Sequence, residues 1–107
     1  MNLAVIQCSN CSYIGSLISF VKDKIIDKCP ICNSNQGNLK PLFFTQQVDI
    51  IDSIVDLIIH NFAVLPHENM IQISKIFNLT PIQEDSILRT LTKYGWREIP
   101  GGIIFDA

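Results

Sequence analysis

The sequence is poor in the features that mark membrane-spanning, secreted and strongly basic proteins. Its apolar runs are far shorter than the roughly 20 residues that cross a bilayer. Residues 1–6 carry no basic segment, and their apolar stretch is too short for a signal peptide. Charged residues form only 17% of the 107 residues, and the formal net charge is −2. We therefore expect a soluble, cytoplasmic protein with no membrane partner.

Catalytic motifs are missing as well. The sequence has no glycine-rich phosphate loop, no nucleophile beside a base at a known spacing and no paired carboxylates in an evident pocket. Acidic residues and one histidine do recur between residues 49 and 60, but their spacing is that of the polar stripe of an amphipathic helix. We expect neither an enzyme nor a protein with a small-molecule substrate.

Four cysteines in two pairs are the most informative residues that the sequence does contain. Cys8 and Cys11 form one C-x-x-C motif, and Cys29 and Cys32 form a second. Two such pairs about 15–20 residues apart are typical of a structural zinc site, in which each turn supplies two thiolates to one tetrahedral ion. The pattern also favours a reducing compartment. We predict structural Zn²⁺ at these cysteines, with iron, disulfides or free thiols as the alternatives.

The residues around the cysteines predict short strands at 3–7, 17–21 and 39–45, with a charged hairpin tip at 22–24. Two cysteine turns, a hairpin between them and a closing strand resemble the zinc-ribbon superfamily over residues 3–45. The cysteine turns also resemble the rubredoxin signature. That family carries glycine after the second cysteine of each pair, where the backbone needs a positive φ, but this chain has Ser12 and Asn33. The difference favours zinc over iron.

The pattern changes at Val48, where apolar residues begin to recur at helical spacing. The sequence predicts helices at 48–62 and 70–77, and a third from the N-cap Thr80 to about Tyr94. Two strands follow, at residues 96–99 and 103–106, around Pro-Gly-Gly.

Three helices followed by a β-hairpin resemble a winged helix-turn-helix, and the residues that carry the resemblance are 73–80, 87–91 and 95–96. The predicted fold is therefore α+β: a small four-cysteine zinc ribbon at residues 1–47, followed by a three-helix winged helix-turn-helix with a C-terminal β-hairpin at residues 48–107. Domains this small cannot each bury a large core, so the first domain needs its metal for stability.

The resemblance implies that the third helix reads duplex DNA, and the residues facing outward would be Gln83, Ser86, Arg89 and Lys93. The charge argues against it. Residues 48–107 carry four basic and eight acidic side chains, and Glu84 and Asp85 lie where phosphates would approach. The alternative is that the helix belongs to a protein-docking surface.

The helix predicted at residues 48–62 has a wider apolar face than one packing surface needs. Ile50, Leu57 and Ile59 are the candidate partner-interface residues on this face. Phe43, Phe44 and Trp96 could extend the exposed patch or seal the two domains together.

The predicted hairpin carries three lysines, Lys22, Lys24 and Lys28. They could contact nucleic acid or an acidic partner, or they could form a solvated edge that blocks aggregation.

Three functions remain open from the sequence. The first is a non-catalytic zinc-binding adaptor or regulatory subunit that docks on protein, either a partner or a second copy, within an assembly that acts on nucleic acid. The second is a DNA-binding transcriptional regulator. The third is a rubredoxin-like iron electron carrier, which a visible absorption band would reveal.

Overall fold

The computed structural model describes residues 4–106, and the chain divides into two compact units between Leu42 and Phe43. The described residues form a mixed α+β structure with three α-helices and several small sheets. The start of the first predicted strand, at Leu3, lies outside the described residues. The prediction that two independently folding domains meet after residue 47 stays a prediction.

The described part of the first unit, residues 4–42, contains five short strands: β1 Val5–Cys8, β2 Ile14–Ser16, β3 Val21–Lys22, β4 Ile25–Ile26 and β5 Leu39–Pro41. Strands β2, β1 and β5 form an antiparallel sheet in that order, and β3 pairs with β4 in a separate hairpin. The core of this unit is small and includes two of the cysteines, because Cys8 and Cys29 are fully buried beside Ile6 and Phe20.

The strand predicted at residues 17–21 is wrong, because Leu17–Phe20 forms a short 3₁₀ helix. In a 3₁₀ turn, side chains three residues apart lie on the same side. This turn directs both Leu17 and Phe20 toward the core, where a strand would have pointed them to opposite faces. The hairpin tip is confirmed at Asp23 and Lys24, which both have positive φ.

The closing strand β5 ends at Pro41, four residues before the predicted end at Thr45. Phe43 instead belongs to the second unit, where its backbone N–H donates to Asn61 Oδ1 at 2.9 Å and its carbonyl accepts from Asn61 Nδ2 at 2.7 Å. Two hydrogen bonds to a helix end thus replace the ladder bonds that a longer strand would have made.

The second unit contains three helices and three strands: α1 Ile50–Asn61, β6 Val64–Pro66, α2 His67–Phe77, α3 Pro81–Lys93, β7 Trp96–Ile99 and β8 Gly102–Phe105. The core is built from aliphatic side chains contributed by all three helices and by β6, and the fully buried ones include Ile54, Leu57, Ile58, Leu65, Ile73, Ile87 and Leu91. No helix of the part that the structure describes is long and apolar enough to span a bilayer.

Capping residues set the helix boundaries. Asp49 accepts a hydrogen bond from Ile51 N at 2.9 Å, so α1 begins after Val48, which is fully exposed. The N-cap role predicted for Thr80 is confirmed. Helix α2 begins at His67, three residues before the predicted start, because Pro66 can occupy the N-cap position without an N–H to satisfy.

Strand β6 was not predicted, and it changes the sheet. It pairs with β8, which also pairs with β7, so the order is β6-β8-β7. Gly102 permits the close approach, because a Cβ at this position would clash with the Leu65 carbonyl oxygen. The C-terminal hairpin is thereby joined to the segment between α1 and α2.

One prediction about exposed apolar residues is wrong, and one of the two alternatives for Trp96 is excluded. Leu57 is fully buried, so it belongs to the core and offers no surface to a partner. Trp96 is only 4% exposed and therefore does not extend an exposed patch. The helical period gives the faces of α1 but not how many of them are covered, because coverage depends on elements distant in sequence.

Candidate metal centre

Both C-x-x-C segments fold into the same backbone turn. In each, the N–H of the first cysteine donates to the carbonyl five residues later, and the carbonyl of that cysteine accepts from the N–H four residues later. The donor–acceptor distances are 2.9 and 2.8 Å in the Cys8 turn and 3.0 and 2.9 Å in the Cys29 turn. The chain thus presents two equivalent pairs of sulfur atoms.

The four cysteine side chains converge on one point. The Sγ atoms of Cys8 and Cys32 are 3.6 Å apart, as are those of Cys11 and Cys29, and all four lie within 4.8 Å of one another. A disulfide requires sulfur atoms only about 2.05 Å apart, so these cysteines are free thiols. The predicted ligands are therefore brought together as one cluster.

The cluster has the dimensions of a tetrahedral thiolate site. Metal–sulfur bonds of about 2.3 Å around zinc correspond to tetrahedron edges of about 3.8 Å. The two closest cross-turn pairs, at 3.6 Å, need to separate only slightly to reach this edge. The residues present therefore fit a metal ion held by Cys8, Cys11, Cys29 and Cys32.

Hydrogen bonding at Cys32 favours its metal-binding form. The side chain of Asn10 donates from Nδ2 to Cys32 Sγ at 3.4 Å, and Ser34 Oγ lies 3.2 Å from the same sulfur. These contacts, that of Asn10 foremost, lower the pKa of the Cys32 thiol to about 5. The thiolate is the species that coordinates a metal, so Cys32 is prepared for ligation.

Desolvation acts in the opposite sense at Cys11. Burial among the other sulfurs raises the pKa of the Cys11 thiol to about 12, although a backbone hydrogen bond with Tyr13 opposes the shift. A cation beside the sulfur would remove this penalty, because coordination deprotonates a thiol outright. The cluster is thus better suited to hold a cation than to remain as four neutral thiols, two of them buried.

The positions after each second cysteine adopt the left-handed conformation. Ser12 has φ 68° and Asn33 has φ 61°. The positive φ expected from the rubredoxin resemblance is therefore present without glycine, and Asn tolerates it better than Ser. Consequently, the absence of glycine does not distinguish zinc from iron by backbone conformation.

Asn10 and Ser34 were not predicted as parts of the site. Both lie within two residues of a cysteine, since Asn10 is inside the first C-x-x-C and Ser34 follows Cys32 by two positions. Polar side chains this close to a thiolate commonly orient or stabilise it. Their closeness in sequence to the cysteines was the signal that could have identified them as parts of the site.

The residues predicted for DNA contact lie on α3, but two of them are engaged within the chain. Gln83 forms a capping box with Thr80: its Oε1 accepts from Thr80 N at 2.9 Å, and its own N–H donates to Thr80 Oγ1 at 3.2 Å. Arg89 Nε lies 2.9 Å from Asp85 Oδ2. The spacing T-x-x-Q is a known capping-box signature and could have revealed the first role.

The remaining two α3 residues differ in exposure. Ser86 is partly buried and its carbonyl accepts a hydrogen bond from Thr90, whereas Lys93 is exposed at the end of the helix. Near the hairpin, Arg97 Nε lies 2.7 Å from Asp106 Oδ2. Both arginines of the second unit therefore have a carboxylate partner within the chain.

The other candidate interface residues are only partly exposed. Ile59 is 40% exposed and Ile50 is half-buried. Ile59 also lines an apolar groove with residues that were not predicted together, and its lining is Ile59, Phe62, Ala63, Tyr94, Trp96 and Phe105.

Comparisons with protein-family models, with curated proteins and with solved structures found no match to this chain.

Proposed function

We propose that this chain is a non-catalytic zinc-binding adaptor, with a zinc ribbon in its first unit and a winged helix-turn-helix used for protein docking in its second. The observation that carries the proposal is the closed cluster of four cysteine sulfurs. Four thiolates complete the tetrahedral coordination of zinc and leave no position for water or substrate. A site of this kind stabilises a fold and performs no hydrolysis.

The ribbon assignment is supported by how the cysteines are presented. Each pair comes from one tight turn, and the turns lie beside a three-stranded antiparallel sheet. The buried apolar side chains in the described part of this unit, apart from the cysteines, are Val5, Ile6, Ile14 and Phe20. A bound metal would supply the stability that so small a core lacks.

The winged helix-turn-helix assignment is supported by element order. Helix α2 ends at Phe77, and its C-cap Asn78 reverses the chain with a φ of 53°. Helix α3 begins at Pro81, three residues after Asn78 and directly after its N-cap Thr80. The hairpin of β7 and β8 follows, and β6 extends its sheet. A short turn between two helices followed by a β-hairpin is the pattern of this class.

Protein docking is supported over DNA binding by the charges of the second unit. Arg89 and Arg97 each face a carboxylate of the chain, at 2.9 and 2.7 Å. Only Lys75 and Lys93 remain as basic residues outside these pairs, against eight acidic side chains. Release of counterions from DNA would be small, so the surface suits a protein partner within a larger, nucleic-acid-associated assembly.

The experiment that tests this role is fluorescence anisotropy of the zinc-loaded protein with random duplex DNA, first at low salt and then at rising salt. We expect no binding tighter than about 10⁻⁴ M even at low salt, the weak end of non-specific binding. A matched variant, Asp85→Asn, removes the ion-pair partner of Arg89. It tests whether this ion pair masks an affinity of α3 for DNA.

Tight binding that weakens steeply with salt would contradict the docking role and favour the second candidate, a DNA-binding transcriptional regulator. The specific observation favouring that candidate is the exposure of Arg89 and Lys93 on α3. In that case Arg89→Ala should weaken binding and reduce its salt dependence.

Metal identity is tested separately by elemental analysis and absorption spectroscopy of the purified protein. We expect about one zinc ion per chain and a colourless solution, as four thiolates bind one tetrahedral ion. A visible absorption band with one iron per chain would instead support an iron electron carrier.

A further inference from the structure

An apolar groove lies on the second unit where the end of α1, the end of α3 and the C-terminal hairpin converge. It has a volume of about 340 Å³, within the range of specific binding pockets. Three of its lining side chains are substantially exposed: Ile59 at 40%, Tyr94 at 60% and Phe105 at 47%. Large apolar side chains gathered on one surface commonly mark an interaction site.

One side of this groove is acidic. An adjoining cavity of about 320 Å³ shares Ile59 and Tyr94 with the groove and is also lined by Asp52 and Asp56. Asp52 is exposed, and Asp56 Oδ1 lies 3.0 Å from Nδ1 of His60, which is half exposed. A ligand for this surface should therefore combine apolar side chains with positive charge.

The first unit presents a surface of the opposite character. Its β3–β4 hairpin and the preceding turn expose three isoleucines: Ile18 at 81%, Ile25 at 67% and Ile26 at 38%. The same segment carries three exposed lysines, Lys22, Lys24 and Lys28, against two exposed aspartates, Asp23 and Asp27. Apolar groups and a net positive charge are thus combined on this segment.

We propose that the hairpin of one copy of this chain docks into the groove of a second copy. Ile25, the more exposed isoleucine of β4, enters the apolar groove, and the lysines of the hairpin face Asp52 and Asp56 of the other copy. The contact joins two different surfaces, so it is heterologous. Unless the copies close into a ring, the assembly has a free hairpin at one end and a free groove at the other. This inference rests on the docking role proposed above and names its partner.

The first test is sedimentation velocity of the zinc-loaded full chain over a wide range of protein concentration, at low and high salt. The average mass should rise with concentration at low salt. Added salt should reduce the association, because the lysine and aspartate side chains are solvent-exposed and screened. A monomer at every concentration, with zinc bound and Trp96 still buried by fluorescence, would overturn the proposal.

The second test reverses charges on each side of the contact. Lys24→Glu in the hairpin and Asp52→Lys at the groove should each weaken self-association roughly threefold to tenfold, since attraction is replaced by repulsion. When the two variants are mixed, opposite charges face each other again and association should return. Absence of this recovery would contradict the pairing of these two surfaces.

Substitutions of exposed isoleucines distinguish this contact from non-specific hydrophobic association. Ile25→Glu should abolish association. Ile82→Glu is the matched control, because Ile82 is 80% exposed but lies about 18 Å along α3 from Tyr94. Association that persists in Ile25→Glu, or that is lost equally in Ile82→Glu, would overturn the proposal.

The outcomes also separate this inference from the proposed function. A monomer that binds no DNA would exclude a second copy as the occupant but leave the docking role in place. Tight, salt-sensitive DNA binding would contradict the docking role itself, whatever the mass of the protein.

Discussion

The two units reach a stable core by different means. In the second unit, aliphatic side chains from three helices and a strand are buried against one another, and none of its described residues takes part in the cysteine cluster. In the first unit, two of the most buried side chains are the cysteines Cys8 and Cys29. Apolar burial can hold the second unit together. The first unit instead has candidate metal ligands at positions that core side chains would otherwise occupy.

The cysteine cluster is part of the core of the first unit, since Cys8 and Cys29 are buried beside Ile6 and Phe20. Strands β1 to β5 contain only two to four residues each, and isolated hairpins of this size are marginal in water. Removing a ligand should therefore unfold the first unit, while the second unit keeps its structure.

Replacing a buried ligand should have the largest effect. In Cys29→Ser, a fully buried sulfur is lost and the four-ligand site cannot close, so the first unit should lose its metal and its fold. Metal content after dialysis against a weak chelator, together with amide exchange of residues 5–41, measures both effects. Ser9→Ala, one residue from Cys8, is the control that should retain metal.

In the second unit, the largest single effect should come from a core leucine. Leu57→Ala removes a fully buried side chain and should lower the free energy of unfolding of this unit by about 2–5 kcal/mol. Denaturation followed by Trp96 fluorescence measures the change, because the only tryptophan lies in this unit. Ile59→Ala, at a partly exposed site, should cost much less. Loss of zinc in Leu57→Ala would show that the two units depend on each other.

A smaller effect is expected from the hydrogen bond to the cluster. Asn10→Ala removes the donor 3.4 Å from Cys32 Sγ and should weaken metal affinity by about 10- to 100-fold without unfolding the loaded protein. Competition with a chromophoric chelator measures the affinity. Asn38→Ala is a nearby control in the same unit. Equal affinities for Asn10→Ala and the parent would remove Asn10 from the metal centre.

The smallest effect should come from replacing the residues with positive φ in the two cysteine turns by glycine. Ser12→Gly should stabilise the first unit by about 0.5–1 kcal/mol, because glycine adopts φ 68° without steric cost. Asn33→Gly should gain less, since asparagine tolerates this conformation. Thermal unfolding of the metal-loaded proteins gives the ranking. A larger gain for Asn33→Gly would contradict the account of the two turns.

The parts of the structure that could be predicted are those fixed by neighbours in sequence. The cysteine pairs, the cap at Thr80 and the hairpin tip at Asp23 and Lys24 each depend on residues within a few positions. The metal ligands follow from the same local spacing. These features need no knowledge of the remaining chain.

The features that were missed depend on distant partners. Strand β6 forms because Leu65 pairs with Ile103, nearly forty positions away, and nothing in Val-Leu-Pro alone reveals this. Leu57 was assigned to an interface because the period of α1 cannot show which of its faces are covered. The groove lined by Ile59, Tyr94 and Phe105 likewise gathers three separate segments.

The most direct test of the central contrast is residue-resolved NMR of the zinc-loaded protein during titration with a metal chelator. We expect amide signals from residues 5–41 to collapse to the narrow dispersion of an unfolded chain, while signals from residues 50–105 keep their positions. Dispersed signals throughout the metal-free chain would contradict the claim that the cysteine cluster holds the first unit together.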